Sequence, residues 1–102
     1  MQLVQILLPL NDNDGRAFPR DQFTGIRDRL VERFGGITVY SRAPADGLWK
    51  EGREQPAHDT IMIYEVMTSV LDRAWWADLR VDLERLFRQE AIVIRASEVT
   101  LL

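Results

Sequence analysis

Side chains that could carry out acid–base chemistry are few in this sequence. His58 is the single histidine, and Glu65 stands inside an apolar run, so these two residues are the weak candidates for a catalytic base. No second histidine, cysteine or recognisable serine spacing supports His58, and a solvent-facing residue at the start of a strand is its favoured interpretation. With no cysteine and no ligand spacing, we predict neither a metal site nor a cofactor.

A ligand site is a second hypothesis, and it adds four polar or aromatic side chains to Glu65. The candidate ligand-binding residues are Gln5, Tyr40, Trp49, Glu65 and Arg95. Arg95 would contact an anion, and Trp49 would either close the site as a lid or pack on its own subunit or a neighbour. The favoured interpretation of Glu65 and Arg95 is a buried ion pair that fixes the register of a dimer, because structural pairs also collect at such positions.

Hydrophobic periodicity and turn residues predict the elements that position these side chains. Strands are expected at 2–10, 37–42, 60–67 and 91–96, helices at 19–34 and from a cap at Ser69 to residue 89, and an irregular connection at 43–56. The order strand, helix, strand, strand, helix, strand predicts an α+β fold, the ferredoxin-like βαββαβ sandwich. Its four-stranded antiparallel sheet, in the order 4-1-3-2, carries both helices on one face.

Strand alternation then decides which side chains meet the helices. Val4, Ile6 and Leu8 form an all-apolar set that should lie beneath them. The opposite, open face is expected to carry Gln5, Glu65 and Arg95 among apolar residues, which are Leu3, Leu7, Ile61, Ile63, Met67 and Val93. An exposed apolar surface of this kind usually marks an interface, so we predict a homodimer that packs through the open sheet face.

Composition bounds the remaining possibilities. The 102 residues are 46% hydrophobic and 28% charged, which predicts one domain over residues 1–102. A formal net charge of -3 argues against a nucleic-acid partner. No apolar run approaches the roughly 20 residues of a membrane span, and the first ten residues lack a basic start and a cleavage site. We therefore expect no membrane association and a cytoplasmic location.

Three strings of residues carry a resemblance to a known group. Phe34-Gly35-Gly36-Ile37-Thr38, Gly47-Leu48-Trp49 and Phe87-Arg88-Gln89-Glu90 resemble the FGGxT, GLW and FRQE pattern of a family of small bacterial proteins of unassigned function. The resemblance implies a ferredoxin-like subunit and supplies no catalytic residues. The layout is also similar to that of the dimeric α+β barrels, which include cofactor-free monooxygenases, isomerases and ligand-binding subunits.

Three functions stay open at this point. The first is a homodimeric domain that binds a small molecule on the open sheet face. The alternative is a cofactor-free enzyme of the monooxygenase or isomerase type, with Glu65 or His58 as base and Trp49 closing the pocket. The third is an interaction module with no ligand, and fold analogy alone cannot choose among them.

Overall fold

The computed structural model describes residues 1–47 and 57–102, with side chains described for 1–41 and 61–102. Its elements are β1 (Gln2–Pro9), α1 (Arg20–Phe34), β2 (Thr38–Gly47), β3 (Ala57–Thr68), α2 (Arg73–Leu86) and β4 (Val93–Glu98). The strands form one antiparallel sheet in the order β2-β3-β1-β4. The predicted ferredoxin-like βαββαβ fold and its strand order are confirmed.

Alternation along the strands builds the core as predicted. Val4, Ile6 and Leu8 of β1 are at most 1% exposed, and the neighbouring residues Leu3 and Leu7 are only partly buried. The helices cover the Val4 face with a stripe of buried apolar residues, which are Ile26, Leu30, Trp76, Leu79 and Leu83. The helices therefore cover the central part of one sheet face, and no element of the described chain covers the other face.

Helix α1 ends where glycine permits a left-handed turn. Gly35 has φ of 84°, and its backbone N–H donates to the carbonyl of Val31 at 2.8 Å. A residue with a Cβ is disfavoured in this conformation, so the turn into β2 depends on glycine. The neighbouring Phe34 stacks on Trp76 at 5.2 Å between ring centroids. Phe34 and Gly35 thus fix the end of α1 and its contact with α2.

The start of α2 differs from the expectation. Asp72, and not Ser69, is the N-cap residue: its Oδ1 accepts a hydrogen bond from the backbone N–H of Trp75 at 3.1 Å. Its Oδ2 lies 3.2 Å from Nη2 of Arg33 on α1. A carboxylate that caps one helix and pairs with the other outcompetes a serine three residues earlier.

Strand β2 is longer than predicted. Residues 43–47, expected in the irregular connection, continue β2, and residues 45–47 pair with residues 57–59 of β3. Pro44 is tolerated because β2 is the edge strand and the register shifts between Arg42 and Ala45. The edge position of β2 therefore overrides the turn signal of the proline.

Neither described helix has the length and hydropathy that crossing a bilayer requires.

Candidate functional site

The open face of the sheet carries a row of polar residues across its central strands. Gln5 of β1 stands opposite Glu65 of β3 on one side and Arg95 of β4 on the other. Thr38 of β2 pairs with Glu65, and Tyr40 lies two residues further along the same strand. Side chains of directly opposed residues share a sheet face, so the register alone brings these groups together.

Hydrogen bonds join the four side chains into what we call the polar row, Arg95–Gln5–Glu65–Tyr40. Nε of Arg95 donates to Oε1 of Gln5 at 2.9 Å, and Nε2 of Gln5 donates to Oε1 of Glu65 at 2.8 Å. The hydroxyl of Tyr40 donates to Oε2 of Glu65 at 3.3 Å. Gln5 thus relays between the guanidinium and the carboxylate, which do not contact each other directly.

The polar row constrains what Glu65 can do. Both carboxylate oxygens accept a hydrogen bond, so the side chain is held in one orientation. A general base must direct a lone pair at the proton it removes, and each oxygen of Glu65 keeps one lone pair beyond the hydrogen bond that it accepts. The two hydrogen bonds fix the directions of these lone pairs, so a substrate proton would have to approach along them. The arrangement suits a fixed anionic anchor, and an Arg95 guanidinium at the far end supplies the complementary charge.

Apolar side chains surround the polar row on the same face. Met67 is 48% exposed and Val93 is 51% exposed. The remaining apolar residues of the face are partly buried, and these are Leu3, Leu7, Ile61 and Ile63. The expected open face is therefore present with its predicted residues.

Two predicted site residues cannot be placed with the others. Trp49 lies outside the described residues. The backbone of His58 belongs to β3 and pairs with Asp46, but its side chain is outside the described part. The roles expected of these residues stay predictions.

A second feature, absent from the sequence-based site, lies on the opposite side of the sheet. A groove of about 450 Å³ runs between α2 and β4 and is lined by residues that include Arg73 and Arg80. The spacing of seven residues places both arginines on one side of a helix, a signal that was readable in the sequence. Among the described residues, no three acidic or histidine side chains are grouped so as to hold a metal ion.

Comparisons with known proteins identify the fold and no family. No protein-family model and no curated protein sequence matches the chain. Among solved structures, the divalent cation tolerance protein CutA1 from Thermus thermophilus is similar with a TM-score of 0.62 and 15% identity, covering 99% of this chain and 86% of that one.

Two further solved structures are similar to the same degree. A phage SAM lyase in complex with S-methyl-5'-thioadenosine has a TM-score of 0.60 at 14% identity, covering 95% of this chain and 80% of the lyase. A CutA1 variant from Pyrococcus horikoshii OT3 has a TM-score of 0.59 at 13% identity, covering 100% and 86%. At such identities the likeness is one of fold, and it carries no residue roles.

Proposed function

We propose that this chain is a homodimeric domain whose two open sheet faces pack together and enclose a small-molecule site at the polar row. The observation that carries the proposal is the apolar surface around that row, typified by Met67 and Val93, both about half exposed. Apolar side chains collected on one sheet face favour burial over contact with water. A second copy supplies a surface of the same shape and hydropathy.

The dimensions of the face support this occupant. Four strands about 4.8 Å apart, taken over the eight-residue length of the central strand β1, cover about 500 Å² per copy. Two such faces bury about 1,000 Å² between them, which is the lower end for a specific interface. The proposed dimer is therefore modest in area, and we expect it to dissociate measurably in the micromolar range.

The hydrogen bonds within the polar row reduce the free-energy cost of burying it in a dimer interface. An isolated buried carboxylate costs several kcal/mol. Glu65 already has two donors within its own subunit, so it needs no charged partner from the second copy. The guanidinium of Arg95 uses Nε for Gln5, which leaves its terminal nitrogens as donors for a hydrogen-bond acceptor of a ligand.

Self-association is tested by sedimentation equilibrium. The double variant Met67→Lys with Val93→Lys places two positive charges on the open face. It should therefore be a monomer. Val81→Lys on α2 is the matched control, since Val81 is 44% exposed but lies on a helix, and it should stay dimeric. A wild-type monomer at 100 μM, or equal dissociation of the control, contradicts the proposal.

Ligand binding needs a separate measurement. S-methyl-5'-thioadenosine, the ligand in the similar phage lyase, is a suitable probe for calorimetric titration of the dimer. If the polar row is the site, Glu65→Gln and Arg95→Gln should weaken binding, while Arg85→Gln on α2 should not. Binding that survives both substitutions would place the ligand elsewhere.

The alternative function, a cofactor-free enzyme, would require Glu65 to remove a proton from a substrate. A cofactor-free monooxygenase or isomerase would use Glu65 as a base, whereas the hydrogen bonds from Gln5 and Tyr40 hold both of its oxygens in one orientation, as suits an anchor. We therefore rank binding above catalysis at this face. Turnover of a carbonyl substrate that is lost in Glu65→Gln but retained in Tyr40→Phe would reverse that ranking.

A further inference from the structure

The groove between α2 and β4 has a charge opposite to that of the protein as a whole. Arg73 and Arg80 of α2 are among the residues that line it, and none of the lining residues is acidic. Arg95 also lines it, but its guanidinium is bonded to Gln5 on the open face. The chain carries a formal net charge of -3, so this is a local concentration of positive charge. Such a groove attracts a ligand with more than one negative group.

The floor of the groove is apolar and one of its walls is a sheet edge. Val4, Leu71 and Trp76 line the floor beneath the arginines. Strand β4 is the outermost strand of the described sheet beside β1. Alternate backbone N–H and C=O groups of an outer strand point away from the sheet and can pair with an added strand.

The helix face of β4 also has uncovered surface next to the edge at which an added strand would pair. Ile94 is only partly buried and Ala96 is exposed, although both lie on the face that the helices cover in β1. Helix α2 therefore leaves the outer margin of the sheet open. An extended peptide beside β4 would cover this margin with every second side chain.

Spacing along α2 matches such a peptide. Arg73, Ala77 and Arg80 follow the three- and four-residue spacing of one helix face, with the two arginines about 10 Å apart along the axis. The small side chain of Ala77 leaves room between them. Acidic side chains two or four residues apart on a strand lie about 7 or 13 Å apart, within reach of two long arginine side chains.

From these observations we infer that the groove between α2 and β4 binds an extended acidic peptide segment, which pairs with the outer edge of β4 and presents carboxylates to Arg73 and Arg80. The recognition combines backbone pairing with charge-assisted hydrogen bonds. It does not depend on the open-face proposal, because the groove uses the helix side of the sheet and the test leaves Arg95 unchanged.

The experiment measures fluorescence anisotropy of a labelled peptide of roughly ten residues that alternates Glu with Thr, a strand-forming composition. The wild-type protein is expected to bind it, and the double variant Arg73→Ala with Arg80→Ala should bind at least about tenfold more weakly. Arg85→Ala is the matched control, since Arg85 is an exposed α2 arginine outside the groove, and it should bind as the wild type does.

A second peptide tests the strand pairing without any protein variant. Proline in place of two threonines keeps the charge but removes backbone donors and the ability to add to a sheet, so its affinity should fall at least about tenfold. Equal affinity for the proline peptide would overturn the inference in favour of a site that recognises charge alone. Displacement of the labelled peptide by glutarate, at the same concentration of carboxylate groups, would also overturn the inference.

The other outcomes are also decisive. Equal weakening in Arg85→Ala would overturn the inference by revealing general electrostatic attraction, and so would a wild-type protein that does not bind the peptide. Slower amide exchange at Ile94 and Ala96 in the presence of the peptide would support it, because pairing protects outward-facing amides of β4.

Discussion

Replacing Gln5 by glutamate is the sharpest test of the polar row. Gln5 is the one member that donates to Glu65 and accepts from Arg95, and glutamate has the same shape. In the variant, the nitrogen that lies 2.8 Å from Oε1 of Glu65 becomes a second carboxylate oxygen. Two carboxylates approach this closely only when they share a proton.

The size of the effect follows from that distance and from the surroundings. Two unit charges 4 Å apart repel by about 1 kcal/mol in water and by about 4 kcal/mol near a protein surface. The repulsion grows when a second copy excludes water from the face, and Arg95 offsets only part of it. Dimerisation of Gln5→Glu should therefore weaken by about tenfold or more at pH 8, and the loss should diminish at pH 5, where a shared proton is available.

Sedimentation equilibrium at pH 5 and pH 8 measures this directly, with the wild type and Gln5→Asn as controls. Gln5→Asn shortens the side chain without adding charge, so its association should change little between the two pH values. If Gln5→Glu dimerises as tightly as the wild type at pH 8, the open face is not the buried interface. Circular dichroism at both pH values shows whether the variant remains folded.

Three further predictions concern the fold that supports both faces. Asp72→Ala should lower the free energy of unfolding in urea by about 1 kcal/mol, because it removes the N-cap of α2, whereas Asp78→Ala, further along α2, should not. Phe87→Ala should cost about 3–5 kcal/mol in the same measurement, since this ring is fully buried. Tyr64→Phe should cost about 1 kcal/mol at pH 7 through loss of its hydrogen bond to the carbonyl of Phe23. Burial raises the pKa of Tyr64 above its ordinary value of 10.0, so the wild type should lose stability as the pH rises beyond 10, and the variant should lose less. A flat pH response of the wild type would contradict that assignment.

Much of the open face was predictable because the period of a strand is two. The apolar set Val4, Ile6 and Leu8 identified the covered face, and the rest followed by parity and strand order. The pairing of Gln5 with both Glu65 and Arg95 needed only the usual order for this topology. Strand parity does not specify which side chains on a face form hydrogen bonds with each other. In the structure, Arg95 bonds to Gln5 instead of to Glu65.

Local signals were less reliable where tertiary contacts compete with them. Asp72 caps α2 because the helix begins one residue after it, where its carboxylate can accept from the backbone N–H of Trp75, and it also pairs with Arg33, 39 residues away in the sequence. Pro44 suggested an irregular connection, but an edge strand with a register shift accommodates it. The groove beside β4 was missed because it depends on where α2 stops covering the sheet, which no periodicity specifies.

Strand β1 is hydrogen-bonded on both sides, to β3 over Gln2–Pro9 and to β4 over much of the same length. A single residue inserted into its middle would reverse the two sheet faces for every residue beyond the insertion, unless a β-bulge absorbed the extra residue. Homologues should therefore vary in length mainly elsewhere, in the segments before α1 and between β2 and β3. Aligned relatives with an odd-numbered gap inside β1 should show a β-bulge at that point or altered side chains on both surfaces of the sheet.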